Sequence, residues 1–403
     1  MPHQRTREVL PLLKKTLKHS PVVGILGQRQ VGKTTLTASL ASSYETLDIQ
    51  ATLTQAERDP EGFIDLRKEP FGIDECQLAP SLFPAIKEAV RKKQRPGRFI
   101  LTGSVRFLSR KAIRESLTGR IVNIEVLPFS IPETHGSSPK KTLQNLAKKS
   151  SLEHYIENHF SSTATRSLFA DFDRYLERGG LPGICFLHDS SVRERKFEAH
   201  IETLLERDLR LLQPTTLPFS QLRALLTSLA VRQGEPLELT ELSRETRIST
   251  VTLKRLLLSF EGLFLIRRLR TEGGRAKDVI FLEDQGFAHH LQIPRPRTGM
   301  DLVCGLYSSL RTELHYETSA VRWSVFQFRT PKGAYLPLCF QVDGKFLGIS
   351  PSLEENPARA DIVSAQQFQK AYPGAKVIFA TSAKQAKILR PDQAIIPYAL
   401  LVR

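Results

Sequence analysis

Pro21-Val22-Val23-Gly24-Ile25-Leu26-Gly27-Gln28-Arg29-Gln30-Val31-Gly32-Lys33-Thr34-Thr35 is the stretch that decides the fold. Its first half is an apolar run without polar alternation, the pattern of a strand buried on both faces of a parallel sheet. The run feeds directly into GxxxxGK[ST], and Leu36 and Leu40 continue at helical spacing, so the motif lies between a strand and a helix. Gly27 and Gly32 let the backbone curl until the N–H groups of Gln28, Arg29, Gln30 and Val31 converge on phosphate oxygens. The dipole of the helix that starts near Gly32 adds favourable potential. Lys33 is placed to reach the β- and γ-phosphates, and the Thr34 hydroxyl to coordinate Mg²⁺, with Thr35 following in the same turn. The expected ligands are ATP and Mg²⁺.

Such a site needs an acidic pair at the end of a second strand, and Phe71-Gly72-Ile73-Asp74-Glu75 offers one. Asp74 would hold Mg²⁺ through water and Glu75 would polarise the attacking water. The alternative reading of the same residues is a plain helix cap. Ser81 is expected to cap the next helix, with Pro84 in its first turn and Leu82, Ile86, Ala89 and Val90 on one apolar face. Arg98-Phe99-Ile100-Leu101-Thr102-Gly103-Ser104 then reads as a strand ending in hydroxyls. Ser104 either orients the lytic water or is an ordinary strand-to-loop serine.

Working outward, 403 residues imply two to four domains. The chain is 40% hydrophobic and 25% charged, which excludes collagen-like and disordered classes. No apolar run approaches the ~20 residues of a membrane-spanning helix. The start lacks the layout of a secretory signal. The four cysteines, Cys76, Cys185, Cys304 and Cys339, lie far apart with no metal-ligand spacing. Buried thiols in a reducing cytoplasm, away from any membrane, are therefore expected. The net charge of +16 is spread along the chain, with concentrations at 87–98 and 244–277. That excess suits nucleic acid and equally a solubilising surface.

A shift to Ser and Lys over 134–150 ends the first module. Residues 151–212 read as helices, with Phe169, Phe172, Tyr175 and Leu176 as core. Beyond them Thr240 can cap one helix with Leu242 inward, Arg247-Ile248-Ser249 makes a turn, and Thr250–Phe260 buries Leu253, Leu256, Leu257 and Phe260. Strands at Leu263–Leu269 and Val279–Leu282, joined by a Gly273-Gly274 turn, complete a winged helix. Thr250, Thr252, Lys254, Arg255 and Ser259 should face outward, with Arg267, Arg268, Arg270, Arg275 and Lys277 on the wing. Duplex DNA is one expected partner of that face, and packing on the core or on another protein is the alternative. Strands are predicted at Trp323–Arg329, Leu336–Val342, Phe346–Ile349 and Lys376–Ala380.

GQRQVGKTTL, IDECQLAPSLFPAIKEAV, PGRFILTGS, ESLTGRIVNIEVLPFS, YLERGGLPGI at 175–184 and IETLLERDLRLL at 201–212 together resemble a group of bacterial and archaeal AAA+ ATPases. In that group a P-loop core precedes a winged helix and a C-terminal domain of nuclease-like ancestry. The resemblance implies an α/β fold with a P-loop NTPase (AAA+) core over 1–135 and a helical lid over 136–214. A winged helix-turn-helix over 215–298 and an α/β PD-(D/E)XK-like domain over 299–403 would follow. It implies that Asp74 and Glu75 are the Walker B pair and Ser104 the first sensor. Arg120 would be either an arginine finger towards a neighbouring subunit of a homo-oligomer or a structural anchor. Pro182 in Gly180-Leu181-Pro182 would pack against adenine. Aligned on the nuclease-like pattern, the catalytic positions fall on Val303, Pro337, Ser350 and Ser352, and Asp343 reads as a hairpin tip. Cleavage of nucleic acid is therefore not expected, and the C-terminal domain would serve as a scaffold or a docking surface for a protein partner. The expected activity is Mg²⁺-dependent ATP hydrolysis coupled to a switch acting on DNA or a protein partner. The alternative is an ATP-gated DNA-binding regulator with little or no turnover.

Overall fold

The computed structural model describes residues 5–105, 117–137, 141–148, 152–273 and 277–403. Arg275 and Gly274 lie outside the described residues, as does part of the Ser/Lys segment. The chain divides into two compact units, one of Val9–Pro128 with Leu258–Leu265, the other holding the remainder.

The first unit is built on a five-stranded sheet in the order β2-β3-β4-β1-β5, with β1 at Val22–Leu26, β2 at Ser43–Thr46, β3 at Phe71–Asp74, β4 at Phe99–Gly103 and β5 at Ile121–Glu125. Every pairing is parallel. All five residues of β1 are buried, as an uninterrupted apolar run between two neighbours requires. Because β4 lies between β1 and β3, the ends of three strands meet beside the loop after Leu26. The helix Leu82–Lys92 buries Leu82, Phe83, Ile86 and Val90 against this sheet's core. Ser81 does not cap it: its own backbone is already helical, and its side chain accepts no cap hydrogen bond. Phe264 is buried in the same core, which is why residues 258–265 belong to this unit.

The second unit carries an eight-stranded sheet in the order β12-β13-β11-β10-β9-β8-β6-β7. Its strands are β6 Ile266–Glu272, β7 Val279–Leu282, β8 Trp323–Arg329, β9 Tyr335–Val342, β10 Lys345–Pro351, β11 Lys376–Thr381, β12 Lys387–Arg390 and β13 Gln393–Pro397. Two helices, Leu239–Thr246 and Thr250–Gly262, and the antiparallel pair β6–β7 lie close to the positions predicted for them. The first strand starts three residues later than predicted, because Leu263-Phe264-Leu265 turns away, with Phe264 in the left-handed region at φ 56°. The hairpin does not stand alone. β6 pairs in parallel with β8, Arg270 opposite Phe326 and Glu272 opposite Phe328, so one sheet runs from residue 266 to residue 397.

Helix Gly299–His315 is buried along most of its length, and with β8–β10, helix Arg359–Ala371 and β11 it gives a helix, three antiparallel strands, a helix and a parallel strand. Val303 is interior to that first helix, Pro337 and Ser350 are buried in β9 and β10, and Ser352 follows β10. Asp343 occupies the β9–β10 hairpin tip, ion-paired to Lys148 at 2.6 Å. Among the described residues, no group of three or more His, Cys, Asp or Glu side chains is placed to hold a metal ion, and no helix is long and apolar enough to cross a membrane. All four cysteines are buried as free thiols.

Candidate nucleotide site

The loop after β1 takes the shape its glycines permit. Gly27 has φ 151°, and a Cβ there would sit 2.3 Å from the Val126 carbonyl oxygen. Gly32, at φ 94°, starts the helix Lys33–Leu40 in the left-handed region, and Gln30 is also left-handed at φ 68°. Gln28 and Val31 are buried, Arg29 is half-buried and Gln30 exposed. The Lys33 ammonium is buried and donates to the Gly27 and Gln28 carbonyls, each at 2.9 Å. Thr34 and Thr35 are exposed in the first helical turn.

Asp74, at the carboxyl end of β3, is the centre of the polar network. One carboxylate oxygen accepts from the Thr34 hydroxyl at 2.7 Å and from the Tyr44 hydroxyl at 2.8 Å. The other accepts from Thr102 Oγ1 and from the Glu75 N–H at 3.2 Å. Asp74 therefore does not cap the short turn Cys76–Leu78, which has Glu75 at its N-cap position without any side-chain bond. Burial, then the Asp74 carboxylate, push the Tyr44 phenol above its usual range. Glu75 sits on left-handed backbone at φ 52°, a conformation that costs a non-glycine residue about 1 kcal/mol or more and collects at functional sites. Its carboxylate accepts from Gln77 Nε2 and, at 3.4 Å, from Ser104 Oγ. Gly27–Thr35, Asp74, Glu75 and Ser104 are thus brought together at one edge of one sheet.

Arg120 is not brought there. It precedes β5, whose first residue Ile121 pairs with Val22 at the start of β1. In a parallel sheet this puts Arg120 at the amino edge, opposite the edge that carries Gly27 and Lys33, and roughly 15 Å of strand lies between. A role at the nucleotide of its own chain is thereby excluded, leaving a neighbouring subunit or the amino edge itself.

Pro182 and the basic helix residues belong to the second unit. The Gly179-Gly180 pair before Leu181-Pro182 is explained by packing. Gly179, at φ 69°, would drive a Cβ to 2.1 Å from Asp284 Oδ1, and a Cβ on Gly180 would meet the Phe129 carbonyl oxygen at 2.2 Å. The Gly180 N–H donates to Asp284 at 2.6 Å and its carbonyl accepts from the Phe129 N–H at 2.8 Å. Burial raises the Asp284 carboxyl to about 6, with the N–H groups of Gly180 and Phe287 pulling against it. Pro182 is half-buried. On helix Thr250–Gly262 the exposed face is Val251, Lys254, Arg255 and Leu258. Ser259, expected outside, is buried, because it falls on the side of Leu256 and Phe260. Of the wing cations, Arg267 is tied to buried Glu283 and Lys277 to Glu238.

Tyr44, Thr102 and Gln77 are site residues that the sequence reading missed. Thr102 had a signal, a hydroxyl at the carboxyl end of an apolar strand. Tyr44 had none, because β2 is a half-buried edge strand, Ser-Tyr-Glu-Thr, without apolar alternation.

This strand–loop–helix with a carboxylate at the end of the next-but-one strand defines a P-loop nucleotide-binding core. Residues 19–135 match the family model described as AAA domain, and residues 169–293 match a domain of unknown function, DUF8612. The core is accordingly an α/β P-loop nucleotide-binding domain similar to AAA domains. Uncharacterized proteins of Mycobacterium bovis and Mycobacterium tuberculosis are each 24% identical over 386 residues, covering 91% of this chain and 80% of theirs. Among solved structures, AMPPCP-bound DnaA from Aquifex aeolicus is similar at 13% identity, over 62% of this chain and 86% of that one, with a TM-score of 0.26. A STAND protein with a tetratricopeptide repeat sensor from Pyrococcus horikoshii is similar at 14% identity, over 77% and 49%, with a TM-score of 0.24.

Proposed function

We propose that the chain is an Mg²⁺-dependent ATPase whose hydrolysis drives a conformational switch acting on DNA or a protein partner. The observation that carries this reading is the 2.7 Å bond between Thr34 Oγ1 and Asp74 Oδ2, which joins the phosphate loop to the acidic strand end. A hydroxyl and a single carboxylate are hard oxygen donors, and they suit Mg²⁺, which keeps several waters and takes its other ligands from substrate phosphates. Bound there, Mg²⁺ would neutralise charge on the β- and γ-phosphates. Lys33 would exchange its two carbonyl bonds for phosphate oxygens. Glu75 would accept the proton of the attacking water, and Ser104, 3.4 Å from that carboxylate, would orient it. Lys254 and Arg255, flanked by Val251 and Leu258, make a mixed face suited to a DNA groove or to a protein.

One contact favours the slower alternative, an ATP-gated regulator with little turnover: Gln77 already holds the Glu75 carboxylate. A turnover number separates the two readings. Lys33→Ala should abolish ATP binding by calorimetry. Glu75→Gln should bind ATP normally yet release phosphate at least ~100-fold more slowly. Wild-type ATP affinity in the Lys33→Ala chain would sink the assignment.

A further inference from the structure

The basic stretch 87–98 is not used by the nucleotide site, and the fold gives it neighbours. Helix Leu82–Lys92 ends in Arg91 and Lys92, and the exposed Lys93, Gln94 and Arg95 follow. The next turn lies on the end of helix Leu10–Leu17: the Gly97 N–H donates to the Ser20 carbonyl at 2.9 Å and the Arg98 N–H to that of Pro21 at 3.0 Å. Gly97 is left-handed at φ 69°, and a Cβ on it would stand 3.0 Å from the Leu17 carbonyl oxygen, so this approach depends on glycine. Two basic segments far apart in sequence therefore share one surface, which also carries the exposed Lys14, Lys15, Lys18 and His19. Thr118-Gly119-Arg120 closes a third side. Between them lies a cavity of about 470 Å³ lined by His19, Arg91, Arg95 and Arg120.

Helix C-termini attract cations, which accounts for Lys14, Lys15, Arg91 and Lys92. It does not account for the rest. Glu88 is bonded to Arg91, and Glu69 to Arg95 and Arg98. Lys18, Lys93 and Arg120 form no ion pair among the described residues. A concave surface with surplus, solvent-facing cations in several directions fits a ligand bearing a row of phosphates.

We propose that this amino-edge surface of the P-loop unit binds the phosphate backbone of nucleic acid, with Arg120 and His19 reaching a phosphate seated in the cavity. A membrane surface fits less well, since amphipathic membrane contacts insert large apolar side chains. None of the exposed large hydrophobic residues falls within 10–20 or 87–98. The surface uses no residue of the Lys254–Arg255 helix, and it stands whether or not the chain hydrolyses ATP.

The test is anisotropy of a short labelled DNA duplex with the full chain, without nucleotide, from about 50 to about 200 mM salt. Lys18→Gln with Lys93→Gln and Arg120→Gln should weaken binding about tenfold or more at the lower salt. It should also lower the slope of log affinity against log salt by between two and three, at ~0.9 per cation removed. Lys18→Glu with Lys93→Glu, confined to exposed side chains, guards against a folding defect at Arg120. Lys254→Ala with Arg255→Ala should leave this patch-dependent loss in place. Unchanged affinity in both patch variants, or no duplex binding by the wild type at low salt, overturns the proposal. So does wild-type binding to phosphatidylserine vesicles that the same substitutions abolish and duplex DNA does not displace.

Discussion

Asp74 shows how much one carboxylate is asked to organise. Thr34, Tyr44, Thr102 and the Glu75 N–H all donate to it, and they come from a helix, an edge strand, a neighbouring strand and the turn that follows. Tyr44 shares its acceptor oxygen with Thr34, so the phenol fixes the direction in which that oxygen faces the phosphate loop. Tyr44→Phe removes the donor and keeps the ring. Stability should fall by about 1 kcal/mol, the net worth of one hydrogen bond. The Mg²⁺ concentration for half-maximal turnover should rise several-fold, while ATP binding in EDTA stays unchanged. An unaltered Mg²⁺ requirement would leave Tyr44 a packing residue only. Thr34 and Asp74 were readable from motif spacing; Tyr44 was not, because nothing in Ser43-Tyr44-Glu45-Thr46 announces a strand.

At the scale of elements, the hairpin β6–β7 is fixed from below by a buried charge. Glu283, just past β7, is bonded by Arg267 of β6 at 2.8 Å and by Arg311 of helix Gly299–His315. Arg311 also donates to the Tyr307 hydroxyl at 3.0 Å. Burial works against the Glu283 charge, yet the two guanidinium groups outweigh it and hold the carboxyl down at about 2. Since the folded value lies below the unfolded one, the stabilisation is present above the ordinary glutamate pKa. It drains away as pH falls from about 4.5 towards 2. Arg311→Met leaves the carboxylate half compensated. It should cost about 3 kcal/mol in urea unfolding at neutral pH, and it should flatten the acid limb of the stability profile. Equal pH profiles for the two proteins would remove Glu283 from the acid transition. The paired strands and the two helices before them were legible from apolar spacing and turn residues. The pairing of β6 with β8 was not, because a parallel neighbour fifty residues on leaves no local trace.

Across the whole molecule the two compact units do not follow the order of the chain. The P-loop unit takes Val9–Pro128 and then Leu258–Leu265, whose Phe264 is buried in its core. Phe264→Ala should therefore destabilise the nucleotide-binding unit by about 3–5 kcal/mol although the residue is far from the motif in sequence. Urea unfolding followed by ATP binding checks this, and a loss below about 1 kcal/mol would show the insertion to be superficial. Sequence reading puts a clean boundary near residue 135 because composition changes there. A single aromatic returning to a distant core changes no composition at all. The chain thus crosses between its units four times, at Glu8–Val9, Pro128–Phe129, Leu257–Leu258 and Leu265–Ile266. Neither unit corresponds to one uninterrupted segment of coding sequence. A recombination event that swapped the apparent nucleotide cassette would leave the newcomer without Leu258–Leu265, a piece of its own interior.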